Sequence, residues 1–95
     1  MKYDDVLVAF INNEPCECKF ADDVKTDGDK LFFNNTCVAQ WNDEDCLINY
    51  STYFNQTKIC SKLLRILTMN ETNIKFLHNV PIGAEKLLDY DENWV

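Results

Sequence analysis

The sequence predicts an α+β domain: an antiparallel sheet of four to five strands, one main amphipathic helix packed on one face, and a short C-terminal helix as an optional addition. Three observations predict it. Segments of two-residue alternation occupy the first half of the chain, the period becomes helical after Asn55, and the turn residues Asn12-Asn13, Asp27-Gly28, Asn34-Asn35 and the acidic run at 42–45 separate the alternating segments. Strands followed by a helix that closes one sheet face give this architecture. With 95 residues, 46% hydrophobic content and only two Gly and two Pro, the chain is expected to form one domain, 1–95, without a flexible linker.

Each element has its own signal. "DVLVAFI", Asp5–Ile11, is a nearly continuous apolar run ended by two asparagines, which suits a central strand covered on both faces. "CECKF", Cys16–Phe20, alternates Cys16, Cys18 and Phe20 with Glu17 and Lys19 and is expected to pair with the first strand as a hairpin. Asp27-Gly28 is a strong turn signal leading into the short strand "KLFFNN". "TCVAQW", Thr36–Trp41, places Cys37, Ala39 and Trp41 on one face and Val38 and Gln40 on the other. After the "NDED" turn, "CLINYSTY" returns with Cys46, Ile48 and Tyr50 opposed by Leu47, Asn49 and Ser51. From Asn55, a candidate N-cap, Ile59, Leu63, Ile66 and Leu67 recur at helical spacing up to Met69, with Asn70 as the stop. Asn73–Val80 reads as a further strand, and "IGAEKLLDY" after Pro81 as the short helix. The predicted core is Val6, Val8, Phe10, Cys37, Ala39, Ile48, Ile59, Leu63 and Ile66.

Net charge is −7, and it is uneven: residues 1–29 carry eight acids and three bases, 30–70 three and four, and 71–95 five and two. Such a field opposes general nucleic-acid affinity, which depends on cations displacing counterions from phosphates, and favours approach to a basic surface. The bland alternative is that acidity only keeps a small protein dissolved. No run reaches membrane-spanning length, and the two aspartates in "MKYDDVLVAF" interrupt any signal-peptide core. Five cysteines without such a signal argue for reduced thiols in a reducing compartment. The four Asn-x-Ser/Thr triplets at Asn34, Asn49, Asn55 and Asn70 would be glycan acceptors in a secreted protein; in a chain so rich in Asn the favoured reading is chance.

The chemistry of catalysis is not legible here. His78 is the one histidine, and nothing near it in sequence suggests a nucleophile–base pair. Cys16, Cys18, Cys37, Cys46 and Cys60 lack the paired knuckles that aim two sulfurs at one zinc, and fall on apolar faces instead. The aspartates of "ADDVKTDGD" lack the alternation and closing glutamate of a calcium loop. A binding protein is expected rather than an enzyme, with no metal and no cofactor. One positive feature runs against the acidic background: Lys58, Lys62 and Arg65, at i, i+4 and i+7, form a basic stripe that is either the solvated back of the helix or a phosphate-contacting face.

The segment "LFFNNTCVAQWNDEDCLINYSTYFNQTK" resembles small proteins of bacteriophages and other mobile elements through Leu31, Asn35, Thr36, Val38, Ala39, Tyr50 and Thr57. The match covers less than a third of the chain. The resemblance implies a setting: small acidic phage proteins that act stoichiometrically on host defence enzymes, as anti-CRISPR and anti-restriction proteins do. The expected function is therefore a non-enzymatic, phage-encoded inhibitor of a host defence nucleoprotein, acting in the cytoplasm of an infected bacterium. Its partner would be a protein with a basic nucleic-acid-binding groove, such as a CRISPR effector. Asp22, Asp23, Asp27, Asp29, Asp43, Glu44 and Asp45 would mimic DNA phosphates, with Tyr53 and Trp94 as aromatic anchors. The competing expectation is a small nucleic-acid-binding or regulatory module that uses Lys58, Lys62 and Arg65. Both leave a homodimer open.

Overall fold

A computed structural model describes residues 3–18, 24–50, 54, 56–78 and 80–88. The elements run α1 (Tyr3–Ile11), β1 (Pro15–Cys18), β2 (Val24–Asp27), β3 (Lys30–Phe33), β4 (Thr36–Asn42), β5 (Asp45–Asn49), α2 (Lys58–Met69) and β6 (Asn73–Leu77). The six strands form one sheet in chain order. The first four neighbouring pairs are antiparallel and β5–β6 is parallel, so the fold is α+β with a mostly antiparallel sheet. A parallel neighbour needs a crossover, and α2 supplies it.

The apolar run Asp5–Ile11 is helical, not a central strand. A short apolar run has no diagnostic period, and here packing decides. Val6, Leu7 and Phe10 are fully buried at helical spacing, while Val8 is turned outward and 49% exposed. Asp4 and Asp5 in the first turn suit the positive end of the helix dipole. The hairpin expected between this segment and Cys16–Phe20 is consequently absent. Instead β1 pairs with β2, a strand whose polar sequence "VKTD" carries little alternating signal.

The β4–β5 hairpin has the expected register, with Trp41 opposite Cys46 and Ala39 opposite Ile48. A β-bulge interrupts β3–β4: Leu31 faces Ala39 and Phe32 faces Cys37, leaving Val38 as the extra residue. The extra residue shifts the phase of the strand. Val38 joins the helix-side core with Ala39, and Cys37 is carried to the opposite face, contrary to the simple alternation.

α2 starts at Lys58 with Thr57 as its cap, the Thr57 Oγ1 accepting from the Cys60 N–H at 3.0 Å; Asn55, the expected cap, lies outside the described residues. It stops at Asn70 as expected, with the Asn70 N–H reaching the Ile66 carbonyl at 3.1 Å. Ile59, Leu63 and Leu67 are buried against the sheet, whereas Ile66 is only half-buried. The last expected strand ends at Leu77 rather than Val80.

The short helix expected after Pro81 does not form over 82–87, where the chain runs as an irregular strap across the sheet face opposite the helices; Leu88 is in a 3-10 turn, and Asp89 and Tyr90 lie outside the described residues. Three of its main-chain groups bond to the sheet, Cys37 N–H to Ala84 O (2.8 Å), Gly83 N–H to Thr36 Oγ1 (2.9 Å) and Leu87 N–H to Gln40 Oε1 (2.7 Å), and one turn closes on itself, Ala84 N–H to Pro81 O (3.2 Å). The fold therefore has two apolar layers. The larger lies under α1 and α2, and the smaller gathers Cys37, Leu47, Leu77, Val80 and Leu87 beneath the strap. No helix among the described residues is long and apolar enough to cross a membrane.

Candidate functional site

Antiparallel strands of a sequential sheet return every second turn to the same end. The β2–β3 turn carries Asp27 and Asp29, the β4–β5 turn carries Asp43, Glu44 and Asp45, and the Trp41 N–H donates to the Asp29 carbonyl at 3.0 Å, tying the two turns together. Two further acids reach this end. Glu14 precedes Pro15, which pairs with Asp27, and Glu71 lies just before Asn73, which pairs with Asp45. One end of the sheet thus gathers seven carboxylates, those at 14, 27, 29, 43, 44, 45 and 71. Glu14 and Glu71 were not legible in the sequence, because only the strand order brings them to this end.

The backbone here is tightly fixed. Asp27 Oδ1 accepts from the N–H groups of Asp29 (2.9 Å) and Lys30 (2.8 Å). Burial works to raise its pKa, but these bonds and the Lys30 ammonium outweigh it and hold the carboxyl below its ordinary value. Thr26 Oγ1 accepts from the Gly28 N–H at 3.0 Å and donates to the Lys30 carbonyl at 2.7 Å, closing the turn from within. Asn13 Nδ2 donates to the Gly28 carbonyl at 3.0 Å, so the end of α1 is locked onto the same turn. The Trp41 indole stacks on Phe10 at 5.3 Å and donates to the Phe10 carbonyl at 2.9 Å, fixing α1 to β4.

Two lysines offset part of the charge. Lys30 Nζ lies 3.9 Å from Asp27 and 3.7 Å from Asp29, and Lys75 Nζ lies 3.6 Å from Asp45. Asp43 and Glu44 are exposed at the tip of the β4–β5 turn, where Asp43 adopts φ 56°. Asp22, Asp23, Tyr53 and Trp94 lie outside the described residues.

The basic stripe is real as geometry. Lys58, Lys62 and Arg65 are all exposed on α2, within an arc of roughly 60° at 3.6 residues per turn. Its middle charge is already engaged: Lys62 Nζ lies 3.2 Å from Asp4 Oδ1 at the start of α1. The stripe and the acidic end are on different parts of the fold.

Open depressions of about 370 and 390 Å³ adjoin the acidic end on the outer face of β2 and β3. They share Lys25 and Phe32, whose contact, with Lys25 Nζ 5.8 Å from the ring centroid, forms the ridge between them.

Each cysteine is present as a thiol, with Cys16 half-buried and Cys18, Cys37, Cys46 and Cys60 buried. Burial pushes the Cys37 thiol up to about 12 and that of Cys60 to about 11, and raises Cys46 still further above the ordinary range. These three are therefore poor nucleophiles. Among the described residues, no group of three or more His, Cys, Asp or Glu side chains is placed to hold a metal ion. His78 is half-buried with its ring edge-on to Tyr50 at 6.0 Å, a packing role. Comparison with protein-family models, with curated proteins and with solved structures returns no match.

Proposed function

We propose that this chain is a non-enzymatic binding protein whose acidic sheet end enters a basic, nucleic-acid-binding groove of a partner. We further propose that it works as a phage-encoded inhibitor of a host defence nucleoprotein such as a CRISPR effector, in the bacterial cytoplasm. The observation that carries this reading is the convergence of the carboxylates of two hairpin turns and two further connections on one end of the sheet, opposed by Lys30 and Lys75. Carboxylates held on hydrogen-bonded turns keep a fixed spacing, so little order is lost when cations of a partner meet them. Like-signed fields of this kind accelerate approach to an opposite surface, and the acceleration falls as salt is added.

The test is a pull-down from a bacterial lysate containing CRISPR effectors, comparing the native chain with the triple reversal Asp43→Lys, Glu44→Lys, Asp45→Lys. Retention of an effector by the native chain and its loss with the reversal supports the reading, and equal retention by both removes the acidic end from it. The exposed arc of Lys58, Lys62 and Arg65 supports a second reading, a nucleic-acid-binding module. A mobility shift with short DNA and RNA at low salt separates the two: a shift abolished by alanine at all three positions favours the module, and no shift favours a protein target.

A further inference from the structure

The strap at 80–88 is held to the sheet by main-chain groups that meet side chains of β4. Residues 80–87 cross the outer sheet face without helix or strand, and three of their main-chain groups are captured by a neighbouring strand, through the side chains of Thr36 and Gln40 and the Cys37 N–H. Its apolar grip is small: Val80 and Leu87 are buried over Cys37, Leu47 and Leu77, with Ala84 packed against them. Outward, Ile82 is 74% exposed, and Glu85, Lys86 and Leu88 also face solvent. Only Val80 and Leu87 of the strap are buried, a smaller apolar anchorage than that of α1 or α2. The helix-side core shares no buried residue with this layer. Neither α1 nor α2 contributes a residue to the layer beneath the strap.

We propose that residues 80–88 form a detachable strap that leaves the sheet as a unit while the strands and helices stay folded, and that the uncovered slot takes the same extended segment from a second copy of the chain. The slot recognises main chain through Thr36, Cys37 and Gln40, and small or branched apolar side chains through Cys37, Leu47 and Leu77. A strap supplied in trans offers these groups at the same spacing. The buried amide of Asn49, which donates to the Cys37 carbonyl at 3.3 Å, keeps the floor of the slot in shape when the strap is away.

Cys37 and Cys46 report the two layers separately, since Cys37 lies under the strap and Cys46 under the helices. Alkylation of the full chain across sub-denaturing urea, resolved by site with mass spectrometry and normalised to the denatured rates, measures each opening. Cys37 should be labelled faster than Cys46 and with a shallower urea dependence, because detachment exposes less surface than global unfolding. Ile59→Val, on the helix side, should raise Cys46 labelling about 2- to 10-fold and leave Cys37 unchanged. Equal rates and slopes at the two thiols, or a parallel rise in both with Ile59→Val, would overturn detachment. Leu87→Ala should raise Cys37 labelling about 30-fold or more. In that variant, a synthetic peptide of residues 80–88 should slow Cys37 labelling again, and a peptide with alanine for Leu87 should not. Labelling unaffected by either peptide would overturn exchange in trans.

Discussion

Replacing Gly28 with alanine tests whether the β2–β3 turn is the joint that locks α1 to the acidic end. Gly28 sits at φ +99°, a region that side-chain-bearing residues rarely adopt, and a Cβ built there lies 2.7 Å from the Asn13 carbonyl oxygen and 3.0 Å from its carbon. Both are main-chain atoms, so no rotamer change relieves the contact. The backbone strain alone costs about 1–3 kcal/mol. Moving the Asn13 segment away also breaks its side-chain bond to the Gly28 carbonyl, which adds about 0.5–1.5 kcal/mol. The total is roughly 2–4 kcal/mol, a fall in Tm of about 8 °C or more for a chain of this length. Gly83 is the internal control: its φ is +90°, yet nothing lies within 4 Å of a Cβ added there. Gly83→Ala therefore carries strain without collision. Urea unfolding followed by circular dichroism should place Gly28→Ala well below Gly83→Ala in midpoint, with equal slopes. Equal midpoints, or Gly83→Ala as the less stable of the two, would refute the joint.

Other perturbations have equally definite outcomes. Trp41→Phe keeps a ring on Phe10 but removes the indole donor to the Phe10 carbonyl, and should cost about 1–2 kcal/mol in urea unfolding. Thr57→Ala removes the α2 cap and should cost about 1 kcal/mol, read in the same way. The thiols set an alkaline limit. Below their ordinary value of 9.0 both folded and unfolded chains hold the protons. As pH rises from 9 toward 11 for Cys60 and 12 for Cys37, only the unfolded chain releases them, so stability falls across that window in urea titrations at stepped pH. Asp27 acts at the other extreme with the opposite sign. Its lowered pKa contributes stability above the ordinary carboxylate range that is lost as pH falls through the folded value, and Asp27→Asn should flatten this part of the acid limb.

Much of the architecture was legible because its signals were local. The Trp41–Cys46 register followed from alternation on both sides of a short acidic turn, and α2 from a long helical period. The misread elements depend on what lies across from them. Val6, Leu7 and Phe10 satisfy either a buried strand or one helix face, and only the sheet beneath them selects the helix. Cys37 changes face because Val38 is an extra residue against β3, a two-strand property absent from either strand alone. Residues 82–87 form no helix because the Gly83 N–H, the Ala84 carbonyl and the Leu87 N–H are taken by Thr36, Cys37 and Gln40, more than forty residues earlier. Asp27, Asp29 and Asp43–Asp45 were recognisable as turn acids, but their meeting at one end, with Glu14 and Glu71, required the strand order.

The central claim is that the acidic sheet end meets a basic groove. The direct measurement is the association rate of the chain with a purified, guide-RNA-loaded CRISPR effector over a salt series, for the native chain and for the Asp43, Glu44 and Asp45 reversal to lysine. The account predicts fast association that slows steeply with salt, and for the reversal slower association with a weaker salt dependence. Association with the same rate and salt slope for both proteins, or no association by the native chain, would contradict it.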